Sequence, residues 1–241
     1  MAQAIRAARR SILFPSRALM DRLQQQQFSG QPNGFIPNFL AQNRTRMSTQ
    51  TAQKSPFESI LLRVLRNEIQ YHSEYAPPHQ LATRFKEFEV EDQPGEQWIT
   101  LKGKFGENET IKIEATMFDG SVMVPKSGDD STTEDMHLHI SVLVDISKEE
   151  GCDLEFVCSA WPDHIEIQKV YIFRREGSLA QPYMGPNFGD LDNKLQNALS
   201  EFLKARGVND DFSIFLHQFM MNKDRAELIQ WFKNVELFVD K

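Results

Sequence analysis

Between residues 84 and 185 apolar positions recur every second residue; on either side of that stretch they recur every third or fourth. A period of two marks a half-buried strand, and a period of 3.6 marks a helix. The chain therefore reads as helix, strands, helices. The first helix opens at SPFESILLRVLRNEIQYHSEY, where Ser55 suits the cap, Pro56 the first helical position, and Glu58 completes a capping box. Phe57, Ile60, Leu61, Val64, Leu65 and Ile69 form its apolar stripe. Ala76-Pro77-Pro78 ends it, because the residue before a proline is driven out of the helical region.

RFKEFEVE, EQWITLKGKF and ETIKIEATMF read as three strands separated by polar breaks at QPGE and GENE. The clearest alternation is MHLHISVLVDI, in which Met136, Leu138, Ile140, Val142, Val144 and Ile146 share one face. CDLEFVCSAW and HIEIQKVYIFRR follow, joined through Pro162-Asp163, and QPYMG supplies a weaker seventh segment. Short connections imply an antiparallel meander. One long break interrupts it, an acidic loop expected over residues 119–135. Beyond the strands, Leu191, Leu195, Leu199, Phe202 and Leu203 lie on one side of a helix that stops at Gly207. The final segment starts at an Asn/Asp cap and carries Phe212, Phe215, Leu216 and Phe219, then Leu228, Trp231, Phe232, Val235 and Phe238. A break at Asn222-Lys223-Asp224 would make it two helices. The expected class is α+β, with the helices gathered on one face of the sheet.

Charge changes this picture by dividing the chain. Residues 1–47 carry seven arginines against one acid, Asp21, whereas residues 48–241 hold 20 basic and 33 acidic residues, a net of −13. Ile5, Ala8, Ile12 and Leu13 recur at helical spacing with arginines between them, the pattern of an organelle-targeting presequence. A basic arm retained on the protein is the alternative. The Gln/Asn/Gly/Pro-rich stretch that follows lacks periodicity and reads as disordered. The chain thus divides into a targeting and disordered segment, 1–47, and a domain, 48–241. No run reaches the ~18 apolar residues of a membrane-spanning helix. The two Asn-x-Ser/Thr sequons, at Asn43 and Asn108, matter only on a secretory route, which organelle import bypasses.

Candidate chemistry adds little. Cys152 and Cys158 lie six residues apart on one strand, about 20 Å at ~3.3 Å per residue. A disulfide spans at most about 7 Å between Cα atoms, so the two read as reduced, inward-facing strand residues. Their spacing does not match a zinc site, and His137 with His139 lacks a third ligand of suitable spacing. Elbow, P-loop and dinucleotide-binding motifs are missing, so neither catalytic residues nor a metal or cofactor is assigned. Acids stand out instead: Asp129, Asp130, Glu134 and Asp135 in the long loop, then Glu149, Glu150 and, outward on the next strand, Asp153 and Glu155. Such a surface repels nucleic-acid backbone and attracts basic proteins.

The helix ending FLKARGV, the Asp-rich cap after it and the final WFKNVELFV together resemble the mitochondrial glycoprotein family, acidic proteins of the mitochondrial matrix. The FEVE strand, ITLKGKF and an acidic loop before the long central strand agree, so the resemblance covers residues 55–241. It implies a seven-stranded antiparallel sheet flanked by one N-terminal and two or three C-terminal helices, assembled as a doughnut-shaped homotrimer. Phe57, Ile60, Val64, Trp231, Phe232 and Phe238 would then serve packing within and between subunits. It further implies a non-enzymatic, multi-partner adaptor or chaperone that supports mitochondrial ribosome assembly, translation and oxidative phosphorylation through basic partners such as ribosomal proteins. Two rival readings remain: an RNA-linked factor in organelle transcript processing, and a small-ligand carrier or enzyme with a pocket between sheet and helices.

Overall fold

The computed structural model describes residues 54–125, 134–148, 151–174 and 183–241. The expectations for residues 1–47, for the sequon at Asn43, and for Asp129, Asp130, Glu149 and Glu150 lie outside them. Helix α1 (Pro56–Tyr75) comes first, followed by strands β1 (Arg84–Phe85), β2 (Phe88–Asp92), β3 (Trp98–Phe105), β4 (Glu109–Pro125), β5 (Glu134–Lys148), β6 (Cys152–Ala160) and β7 (Ile165–Arg174). Helices α2 (Asn193–Lys204) and α3 (Asp210–Asp240) close the chain. The seven strands form one antiparallel sheet in chain order.

Local chemistry accounts for most of the boundaries. At the start of α1 the Ser55 hydroxyl accepts from the Glu58 N–H at 3.2 Å, and the Glu58 carboxylate accepts from the Ser55 N–H at 2.6 Å. Asp192 caps α2 by accepting from the Lys194 N–H, and Asn209 caps α3 by accepting from the Phe212 N–H. Gly207, at φ 82°, supplies the left-handed residue between these helices.

Two expectations need correcting. RFKEFEVE is two strands, because Phe85 pairs with Phe88 across a two-residue turn in which Lys86 adopts φ 48°. That split supplies the seventh strand, whereas Tyr183–Gly185 of QPYMG is not a strand. The expected loop over 119–135 is ladder at both ends: Gly120 through Pro125 pair with His139 through Glu134 after two register shifts in β4. The alternative left open at Asn222-Lys223-Asp224 resolves as one helix, since α3 runs unbroken through those residues.

The core lies on one sheet face. Ile99, Leu101, Ile111, Ile113, Ala115, Ile140, Val142, Val144, Ile146, Phe156 and Cys158 are buried against Leu203 of α2, Val208, and Phe212, Leu216 and Met220 of α3. Phe88 closes one end and lies so near β3 that a Cβ on Gly103 would fall 2.6 Å from its ring. Helices therefore cover the sheet as expected for α2 and the first half of α3. Helix α1 departs from that expectation and packs along the second half of α3. His72 stacks on Phe232 with centroids 5.7 Å apart, Arg66 meets Glu236 at 2.7 Å, and Lys54 pairs with Asp240. Leu62 and Leu65 are the buried residues of α1.

Candidate functional site

The acids singled out in the sequence do not form one cluster. Glu134 and Asp135 are exposed at the start of β5, opposite Pro125 and Val124. Asp153, half-buried, stands opposite Ser147 near the other end of β5. At ~3.3 Å per residue the two positions are about 40 Å apart along the strand.

Glu155 corrects the outward reading: it is only 3% exposed. In register it lies between Asp145 of β5 and Tyr171 of β7, itself a buried residue. Alternation assigns a side chain to a face but is silent on how crowded that face is. Cys152 and Cys158 are both free thiols, and burial pushes Cys158 up to about 12, which leaves it protonated and unreactive at neutral pH.

The apolar residues expected to serve packing do come together. Helices α1 and α3 run antiparallel, as Lys54 at the start of one meets Asp240 at the end of the other. This brings Phe57, Ile60 and Val64 onto the same helix pair as Trp231, Phe232 and Phe238. Phe232 is half-buried beneath His72, but Phe57 and Phe238 are each 81% exposed, and Ile60, Leu61, Val64, Trp231 and Leu237 are exposed as well. The α1 stripe read from the sequence is therefore split. Leu65 faces α3, while Phe57, Ile60, Leu61 and Val64, at i, i+3, i+4 and i+7, line a second face that stays exposed among the described residues.

Two polar constellations take shape in the fold. Lys223 of α3 is completely buried, with its Nζ 2.7 Å from Asp92 Oδ1 and 3.0 Å from Glu227 Oε1, and it donates to the Gln93 carbonyl at 3.3 Å. Glu227 also accepts from the Gly95 N–H at 2.8 Å. The pairing of Lys223 with Glu227 was visible as an i, i+4 spacing, but Asp92 lies far away in sequence. The second constellation gathers histidines around the β6–β7 turn. His139 contacts Asp119 at 2.7 Å and lies edge-on to Trp161, and His164 contacts Asp163 at 2.7 Å. His217 donates through Nε2 to the Ala160 carbonyl at 3.1 Å. The Asp163 carboxylate holds His164 above its usual range, while burial holds His217 below it. Among the described residues no three His, Cys, Asp or Glu side chains are placed to hold a metal ion, and no helix is long and apolar enough to cross a membrane.

Comparison with known proteins agrees with this architecture. The sequence profile of the family described as mitochondrial glycoprotein (MAM33) matches residues 65–239. A mitochondrial protein of Arabidopsis thaliana, itself uncharacterised, is 32% identical over 160 residues, 64% of this chain and 62% of the relative, so the match spans less than two thirds of that protein. The mitochondrial acidic protein mam33 of Schizosaccharomyces pombe is 24% identical over 225 residues, covering 80% of this chain and 82% of the relative. Among solved structures, the p22 protein of Trypanosoma brucei superposes with a TM-score of 0.62 at 22% identity, covering 77% of this chain and 100% of that one. A Leishmania major protein described as a sequence homologue of human p32 gives 0.59 at 15% identity, covering 76% and 99%. Those two likenesses establish the shared fold. The profile match covers most of the chain, and with it the chain is a mitochondrial protein that belongs to the mitochondrial glycoprotein family.

Proposed function

We propose that this protein is a non-enzymatic, acidic, multi-partner adaptor or chaperone of the mitochondrial matrix, working as a homotrimer and engaging basic clients such as ribosomal proteins. The observation that carries this reading is the net charge of −13 over residues 48–241. A surface of that sign raises encounter rates with basic proteins and disfavours nucleic-acid backbone. The uncovered apolar face of the α1–α3 pair supports self-assembly, since contiguous exposed apolar surface of this kind marks an interaction site. Support of mitochondrial ribosome assembly, translation and oxidative phosphorylation would follow from shielding such clients before they reach their sites.

The test is capture of clients by the full chain from mitochondrial extract over a salt series. Between 0.1 M and 1 M salt the screening length drops from about 10 Å to about 3 Å. Recovery of basic proteins is expected to fall steeply over that range and to survive nuclease treatment. Salt-insensitive recovery, or loss of clients with nuclease, would overturn the reading; the second result would favour an RNA-linked role.

A further inference from the structure

Helix α3 turns Phe212, Leu216 and Met220 into the core, yet a polar line runs beside them. Asp210, Ser213 and His217 stand at i, i+3 and i+7, and each bonds to the backbone around the β6–β7 turn. The Asp210 carboxylate accepts from the Ile165 N–H at 3.4 Å. The Ser213 hydroxyl donates to the Trp161 carbonyl, and His217 donates through Nε2 to the Ala160 carbonyl at 3.1 Å. Ser213 and His217 are both buried. These three rungs fasten the first two turns of α3 to residues 160–165.

Of the three, only His217 belongs to a residue type that changes charge between pH 5 and 8. Its ring lies against Phe118 of β4, with centroids 5.6 Å apart. The titratable groups around it are His137 and His139 of β5, Asp163 and His164 of the β6–β7 turn, Asp119 of β4, and Asp210 on its own helix. Burial first, and then the imidazoles of His139 and His137, disfavour charge on His217; the Ala160 carbonyl and Asp163 favour it. The Asp163 carboxylate is already held by His164 at 2.7 Å. Once His164 carries a proton, little of that carboxylate's field is left for His217.

We propose that the Asp210–Ser213–His217 stripe is an acid-released latch, in which protonation of His217 frees the start of α3 from the β6–β7 turn. Released into water, the imidazole regains its ordinary value of about 6.5, above its value in the fold. The open form therefore binds the proton more tightly. The closed form's advantage is complete above about pH 6.5 and is lost as pH falls from there through the folded value. For one proton the opening constant rises by at most about tenfold per pH unit. His164, held above its usual range, pulls the other way, but its side chain is 44% exposed and water screens that contribution. The latch is closed in the alkaline matrix of a respiring mitochondrion and loosens as that compartment acidifies.

The experiment follows hydrogen exchange of the full chain at about pH 8 and about pH 5.5, corrected for the intrinsic rates. Protection of residues 160–165 and 210–217 is expected to fall about tenfold further than that of β3 and β4. His217→Gln keeps a donor for the Ala160 carbonyl but cannot take up a proton, and is expected to remove this difference. Imidazole signals of the unaltered chain give a readout independent of the variant's folding, with His217 expected to titrate below His164. Equal loss of protection across the sheet and the latch, a difference that persists in His217→Gln, or a His217 signal that titrates above that of His164 would each overturn the latch. The charge-based function would stand in all three cases.

Discussion

Arg206 shows how one side chain ties distant parts of the chain together. Its guanidinium lies 3.4 Å from the centroid of the Phe202 ring and 4.5 Å from that of Phe105. It also donates twice to Glu109, at 2.7 Å and 3.0 Å, and Lys148 approaches the same carboxylate at 3.1 Å. The hydrogen bonds from Arg206 hold Glu109 below the ordinary carboxylate value of 4.5, against the opposing effect of burial. A carboxylate depressed in the folded state contributes stability above its unfolded value and loses it as pH falls through the folded one. Glu109→Gln is therefore expected to cost about 2 kcal/mol at pH 7, typical of a hydrogen bond to a charged group. The gap between the two proteins should close as pH drops below 4.5. Urea unfolding of both at several pH values reads this, and a gap independent of pH would refute it. Sequence alone showed Glu109 only at the junction of the GENE turn and the next strand, since its partner lies 97 residues away.

At the scale of elements, α3 has two tasks, and the change between them falls at Asn222 and Lys223. Before that point Phe212, Leu216, Phe219 and Met220 are buried in the core, and after it the helix carries α1. Asn222 clamps the segment arriving from α1 by accepting from the His79 N–H at 2.7 Å and donating to its carbonyl at 2.6 Å. Lys223 locks the β2–β3 turn to the helix through Asp92, Glu227 and Gln93. Removing one partner of a buried ion pair leaves the others uncompensated, at a cost of about 3 kcal/mol or more. Lys223→Met should lower stability by that amount in denaturant unfolding, and adding Asp92→Asn and Glu227→Gln should recover most of the loss. An unchanged stability for the single variant would mean that the lock contributes nothing. The Asn-Lys-Asp run left a helix break open because polar residues interrupt the apolar period. In the fold Asn222 and Lys223 face polar partners, and Asp224 is exposed.

For the whole molecule, the uncovered face of the α1–α3 pair is where assembly is expected. Phe57, Ile60, Leu61 and Val64 stay between 43% and 81% exposed, and a second copy is the economical explanation for a stripe that regular. Phe57→Asp with Val64→Asp should shift sedimentation of the full chain from trimer to smaller species while the circular dichroism of the fold persists. A chain that sediments as a monomer before any substitution would defeat the trimer proposal. Salt-dependent client capture should weaken with assembly, because a trimer presents three acidic surfaces and engages multivalent clients with added avidity.

Sequence by itself determined the order of elements, the antiparallel meander, the helix caps at Ser55 and Asn209, and the acidic balance of the domain. These depend on neighbours a few residues apart, so period, cap chemistry and turn residues record them directly. The split at Lys86 was illegible because its turn uses a positive φ without the glycine or asparagine that normally announces one. Only the tertiary structure decided that Glu155 is buried, that β4 and β5 outrun their neighbours, and that Lys223 meets Asp92. It alone also decided that four of the six residues of the α1 stripe stay exposed. Each of these depends on which distant segment lies opposite a side chain, and an alternation of apolar and polar residues specifies a face without specifying what covers it.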